Sequence, residues 1–282
     1  MQNLVQRLSM KQCLTLTAIL VGMGGLSVPA AYAAQNLQQA AGASQTQSTA
    51  SRSAAKPTLG HYISVKEIAA LPAPRANKSS TIRTDILHII GFQTYAAPEE
   101  ITAARDEQNL RPEHLVSVID KNVSQTELPL TFALLDRVAA DVSAVTRAAK
   151  KRWRTTRPYQ LDRRVKLLVD PLAPDNYGYP SGHTSLSLVW ADILAELDPA
   201  AAAPLQQQAA RIAMHRVLAG VHTTQDITGG KKLGTAILAA LKTKPAFQSD
   251  LAAARAEFTA WRAATAPSGR KNWKSFKSRV TK

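Results

Sequence analysis

Cysteine is nearly absent from this chain: Cys13 is its single thiol in 282 residues. No internal disulfide can form, and if the N-terminal segment is removed no thiol chemistry remains. Alternating apolar and polar runs of the strand type are scarce, which argues against an all-β or α/β architecture. Beyond the first thirty or so residues no apolar run is long enough to span a bilayer. Acidic residues are also few, 20 against 35 Lys and Arg, for a formal charge of +15. Such a surface attracts phosphate esters, nucleic acid or anionic lipid heads, or it simply keeps an exported protein soluble.

The N-terminus has the pattern of a removable leader. Arg7 and Lys11 precede an uncharged stretch from Cys13 to Leu26, followed by Pro29 and Ala31-Tyr32-Ala33. This order of charged, apolar and small-residue regions predicts a secretory signal over 1–33, cut after Ala33, and a periplasmic destination. A retained anchor is the alternative, but Gly24-Gly25 and Pro29 shorten the apolar core below a full span. Residues 34–60 are rich in Gln, Ser, Ala and Thr and predict a flexible low-complexity tether.

From 61 to 245 the pattern predicts one all-α domain, a helical bundle without internal repeats. Ser64 and Glu67 form a capping-box pair ahead of a short helix stopped by Pro72. Residues 84–122 read as helices broken at Gly91, Pro98 and Pro112. Pro129 then opens a clear amphipathic helix. Leu130, Leu134, Val138, Val142, Val145 and Ala149 recur at steps of three and four, and the helix should run to about Thr156, before Arg157-Pro158. Further helices are expected at about 184–197, 205–219 and 224–241. Residues 246–282 predict one more amphipathic helix and a basic tail with Arg270, Lys271, Lys274, Lys277, Arg279 and Lys282. That tail either contacts an anionic surface or is a solvated end.

Three polar segments carry the chemistry. Lys150 lies seven residues before Arg157-Pro158; on a continuous helix both side chains share one face, about 10 Å apart along the axis. Arg157 can grip two phosphate oxygens and Lys150 supplies a point charge. Next comes Tyr179-Pro180-Ser181-Gly182-His183-Thr184, where Ser181 and Gly182 open a helix whose N–H groups can seat an anion, with His183 beside it. Last come Arg216, His222 and Asp226. Gly220 breaks the helix between Arg216 and His222, so that Asp226 can orient His222. Each segment has a plain alternative: a basic helix end, a helix-start histidine, a capping acid. In combination they read as the parts for holding a phosphate and moving its phosphoryl group onto histidine.

These segments resemble the signature of the class A bacterial non-specific acid phosphatases, in the superfamily of type 2 phosphatidic acid phosphatases and vanadium haloperoxidases. The resemblance implies a helical phosphatase domain in which Lys150, Arg157 and Arg216 bind phosphate with the Ser181–Gly182 turn. His222 would be the nucleophile, Asp226 its orienting partner and His183 the proton donor, without metal or other cofactor. Phosphate monoesters would be substrates and vanadate a phosphate-mimicking inhibitor. A lipid-phosphate phosphatase acting at a membrane surface and a vanadium-dependent haloperoxidase share the pattern; an exported anion-binding protein is the non-enzymatic alternative. Two positions depart from it: His215 stands where the family usually has serine, and Thr223 where an aromatic residue is frequent. His215 is expected to be structural. Oligomeric state leaves no mark in the sequence.

Overall fold

The computed structural model describes residues 61–68, 73–74 and 79–265. The expected leader, tether and basic tail lie outside those residues. All regular structure among the described residues is helical: α1 (Ser80–Tyr95), α2 (Pro98–Asp106), α3 (Glu113–Val116), α4 (Pro129–Trp153), α5 (Pro158–Leu161), α6 (Gly182–Leu197), α7 (Ala202–Leu218), α8 (Thr224–Lys242) and α9 (Pro245–Thr265), with short 3₁₀ turns between some of them. No helix among the described residues is long and apolar enough to cross a membrane.

Helix α6 is the hub. It packs on α4, α7, α8 and α9. A helix that meets neighbours on nearly every side must be apolar nearly all round, and Val189, Trp190, Ala191, Ile193 and Leu194 are all essentially sealed. Each such large side chain contributes about 1.5–3 kcal/mol of burial. The Trp190 indole donates to the Leu135 carbonyl at 2.9 Å, so its polar edge is satisfied. The buried polar residues of α6, Thr184, Ser185 and Ser187, lie in its N-terminal part, where Ser185 Oγ donates to the Gly230 carbonyl at 2.9 Å. That contact is possible because α8 presents Gly230: a Cβ there would sit 2.6 Å from the Ser181 carbonyl oxygen.

Helix α9 adds Phe247, Leu251, Ala254 and Phe258 to the same core and supplies a cap in trans. Helix α4 opens on Pro129 with no side-chain cap of its own. Glu257 of α9 accepts from the backbone N–H groups of Leu130 and Thr131, both at 2.8 Å. The segment before α1 is tied down by Asp141 of α4, which accepts from the Tyr62 N–H at 3.1 Å and pairs with His61.

Two expectations need correcting. Gly91 does not break a helix: α1 runs through it. Nothing lies within 4 Å of the position a Cβ would take, so the glycine costs only its propensity penalty of about 1 kcal/mol. Helix α4 ends at Trp153, short of Thr156, because Arg154 adopts the left-handed conformation (φ 47°) as its C-cap. Lys150 and Arg157 are therefore not on one helix.

Candidate active site

The break after Trp153 decides how the cations converge. Lys150 is buried on the last turn of α4, and its ammonium donates to the carbonyls of Tyr177 and Gly178, the latter at 2.8 Å. Thr155 places that loop, accepting from the Tyr179 N–H through Oγ1 at 2.6 Å and from the Gly178 N–H through its carbonyl at 2.9 Å. Arg157 precedes α5 as its N-cap, with extended backbone. Its guanidinium donates to Asn176 twice, at 2.6 and 2.8 Å, and to the Val221 carbonyl at 2.7 Å. Arg216, from the last turn of α7, donates to the Ala104 carbonyl, and Glu107 Oε2 lies 3.9 Å from it. Most of these fixed partners are neutral oxygens, so much of the cationic charge is left uncompensated. Burial lowers the pKa of all three: Lys150 well below its ordinary value, with the Arg157 cation adding to the shift, and Arg157 and Arg216 to about 10, against the opposing pull of Asp226 on the first and Glu107 on the second.

Gly220 brings His222 to this cluster. At φ 75° it turns the chain back, and the N–H groups of Val221 and His222 both donate to the Arg216 carbonyl at 3.2 Å. A Cβ at 220 would lie 2.3 Å from the Lys166 carbonyl oxygen, so both the conformation and the space require glycine. His222 is 3% exposed. Its Nδ1 faces Asp226 Oδ2 at 3.3 Å and its Nε2 faces Arg157 Nη1 at 3.3 Å. Asp226 is also the reciprocal partner in the capping box of α8, its Oδ2 accepting from the Thr223 N–H at 2.9 Å while its own N–H donates to Thr223 Oγ1 at 3.2 Å. One carboxylate thus starts a helix and orients an imidazole. Burial pushes its pKa up. Burial, together with Arg157 and Lys150, pushes that of His222 well down, so the imidazole is neutral.

Ser181 caps α6, accepting from the Thr184 N–H at 3.3 Å and from the Thr184 hydroxyl at 2.9 Å. Its own N–H donates to the Asp226 carbonyl at 3.0 Å, which locks the start of α6 to the start of α8. The Ser181 hydroxyl is the acceptor in both capping bonds; the residues of this turn that line the cavity are Gly182 and His183. His183 Nε2 donates to the carbonyls of Glu107 at 2.9 Å and Gln108 at 3.2 Å. That leaves Nδ1 for the cavity. Burial and then the Arg216 cation hold the His183 pKa down at about 3.

Lys150, Arg157, Arg216, Gly182, His183 and His222 all line one cavity of about 600 Å³. Asp226 stands behind His222. The cavity continues along α4 past Thr146, Ser143, Val142 and Ala139. Those steps of three and four keep one helix face toward it for about 16 Å. Tyr177 and Tyr179 are not among its lining residues; Tyr179 packs on α8, where a Cβ at Gly229 would lie 2.2 Å from its ring.

Several contributors are invisible in the motifs. The turn from Ala104 to Gln108 holds Arg216 and His183 through main-chain carbonyls, which have no sequence signature. Asn176 and Val221 act on Arg157 in a similar way. His215 gave the one available clue, because a buried histidine in place of serine calls for an acid. Its Nδ1 pairs with Glu107 and its Nε2 with Glu100, both at 2.7 Å. Burial works against the cation, but the two carboxylates hold its pKa above the ordinary value. Among the described residues no group of three or more His, Cys, Asp or Glu side chains is placed to hold a metal ion.

The chain matches the PAP2 superfamily over residues 130–249, which include Lys150, Arg157, Arg216, His183 and His222 of the cavity. It is 28% identical over 195 residues to a non-specific acid phosphatase of Salmonella typhimurium, covering 66% of this chain and 78% of that protein. An acid phosphatase of Zymomonas mobilis is 30% identical over 153 residues, 51% of this chain and 58% of that protein. A solved transmembrane PAP2-type phosphatidylglycerolphosphate phosphatase from Bacillus subtilis gives a TM-score of 0.41 at 16% identity, over 59% of this chain and 87% of that one, too slight a likeness to build on. The helical fold, the convergence of the three segments and the sequence match agree: over residues 130–249 the chain is similar to the PAP2 superfamily.

Proposed function

We propose that this protein is an acid phosphatase that hydrolyses phosphate monoesters through a phosphohistidine on His222, without a metal ion. The observation that carries the reading is the state of His222. It is buried and neutral, tied at Nδ1 to Asp226, with Nε2 turned toward a cavity lined by three buried cations. That is a nucleophile with its lone pair facing an anion seat.

The phosphoryl group binds among Lys150, Arg157 and Arg216, with the N-terminal turn of α6 at Gly182 beside it. His222 Nε2 attacks phosphorus as the ester P–O bond breaks, and Asp226 stabilises the imidazolium through Nδ1–H. The cations hold charge on the equatorial oxygens. The leaving alkoxide takes its proton from His183 Nδ1. Water then attacks phosphorus and gives a proton back to His183; the P–N bond breaks and its electron pair returns to His222.

His183 must hold a proton for the first step, yet in the free protein its pKa is near 3. The arriving dianion supplies the negative charge that the cationic cluster lacks and lifts His183 toward the range where it is protonated. This favours an acidic optimum. The N-terminal leader pattern supports the bacterial periplasm as the site of action in this reading.

The test is hydrolysis of p-nitrophenyl phosphate by the chain lacking residues 1–33, in EDTA, across acidic to neutral pH, with His222→Ala in parallel. Turnover in EDTA that disappears in the variant supports the reading. Turnover that survives in His222→Ala removes His222 as nucleophile.

A further inference from the structure

Threonines inside these helices follow a pattern. Thr84, Thr94, Thr102, Thr228, Thr259 and Thr265 each donate the side-chain hydroxyl to the carbonyl four residues back, at 2.8–3.1 Å. This local bond is the ordinary resting place of a helical threonine hydroxyl. Thr146 of α4 departs from it. It is 4% exposed, and its Oγ1 is one of three buried side-chain polar atoms among the described residues with no hydrogen-bond partner, with Asp85 Oδ2 and Arg216 Nε. Buried polar groups are rarely left so, and each asks for an explanation.

The position supplies one. Thr146 and Arg216 both line the cavity, so two of the three orphaned atoms belong to residues of one site. Thr146 lies one helical turn before Lys150 on the same face of α4. It also touches the anion seat: a Cβ at Gly182 would lie 3.2 Å from its Cγ2 and 4.0 Å from its Oγ1. The hydroxyl there makes no bond to its own backbone, on a residue that is one turn from Lys150 and in contact with the opening turn of α6.

We infer that Thr146 is a further phosphate-binding residue of this site, its hydroxyl donating to a phosphoryl oxygen that Lys150 and the Gly182 turn also hold. The assignment rests on the proposed phosphatase reading. It gives binding and stability opposite signs. In the empty protein the hydroxyl is a buried polar group without a partner, so removing it without changing shape should not destabilise the fold. With phosphate bound the same change deletes a hydrogen bond to an anion.

Thr146→Val, Thr146→Ala and Thr146→Ser are measured against wild type for binding of inorganic phosphate and vanadate by calorimetry, and for Tm with and without phosphate. Thr146→Val is expected to bind both anions about tenfold more weakly or worse, to melt no lower than wild type in the absence of anion, and to gain less Tm when phosphate is added. Thr146→Ser is expected to restore binding. Thr146→Val that binds phosphate as wild type does overturns the assignment, and so does a Thr146→Val or Thr146→Ala protein that fails to fold, because the hydroxyl would then be serving the core. Wild type that binds neither anion and hydrolyses no ester would remove the phosphatase reading instead, and this inference with it.

Discussion

His215 and Arg216 follow one another on the last turns of α7, both almost sealed from solvent, and their electrostatic surroundings differ, although Glu107 reaches both, at 2.7 Å from His215 and 3.9 Å from Arg216. His215 points to two carboxylates, Glu100 and Glu107, so the imidazolium there is more than balanced. Arg216 points to the cavity it shares with Lys150 and Arg157, where the fixed partners are mainly carbonyls and Asp226 stands behind His222. A balanced buried cluster holds elements together: here it pins α2 and the following turn to α7. An unbalanced one is costly to maintain and keeps its attraction for something that arrives later. Adjacent residues thus divide stability and ligand binding between them, and substitutions should separate the two roles.

The largest effect is expected at Asp226. Asp226→Asn keeps the shape but loses the charge that supports His222, and turnover should fall by about 10³–10⁴-fold while phosphate affinity, read by calorimetry, changes little. Next is Lys150→Met, which removes one charged donor from the seat. Phosphate and vanadate should bind about 10- to 100-fold more weakly, and Tm in the absence of anion should not fall, because a desolvated cation has gone. His215→Gln should show the reverse. Breaking a buried pair costs about 3–5 kcal/mol; Glu100 remains about a third exposed, so the low end, about 3 kcal/mol, is expected in urea unfolding, with the turnover of the folded fraction within a few-fold of wild type. A His215→Gln protein that is stable but inactive would mean that the roles of the two residues are not divided, with Glu107, which lies near both, as the link.

The same division gives opposite slopes with pH. His183 has its pKa held at about 3 in the folded chain, against about 6.5 unfolded. Between those values the unfolded chain binds the extra proton, so stability should rise with pH across that window. His215 has a raised folded pKa; its contribution is complete below about 6.5 and is lost as pH rises through the folded value. Chemical unfolding followed over pH should show wild type losing stability above neutrality and His215→Gln losing less of it. The smallest effect should come from Glu257→Gln, which weakens the borrowed cap of α4 by about 1 kcal/mol without touching turnover.

The sequence made the helices legible because an apolar stripe at steps of three and four leaves few other options. Helices α4 and α6 to α9 fall within a few residues of their expected limits, and Asp226 does serve as the capping acid that its plain alternative named. The site was legible as a set of side chains but less so as a shape. Lys150 and Arg157 were expected to converge through helical phase; instead they converge because Arg154 ends the helix early, a left-handed conformation that nothing in that residue's identity announces. Contacts made by main-chain oxygens were beyond reach for the same reason: any residue at Ala104, Gln108 or Val221 offers the same carbonyl. Nothing local marks Glu107 and Glu100, because their partner, His215, lies more than a hundred residues away.

The turn between Ala104 and Gln108 constrains change in an unusual way. It positions Arg216 through one peptide oxygen and His183 through two others. Those oxygens belong to the main chain, although Ala104 is fully buried and Gln108 is bonded to the Asp170 main chain. The length of the turn matters for a separate reason: one residue more or fewer would move the contacts to Arg216 and His183 at once. In this stretch the constraint is on counting as well as on lettering, and a comparison that scores only residue identity would see half of it.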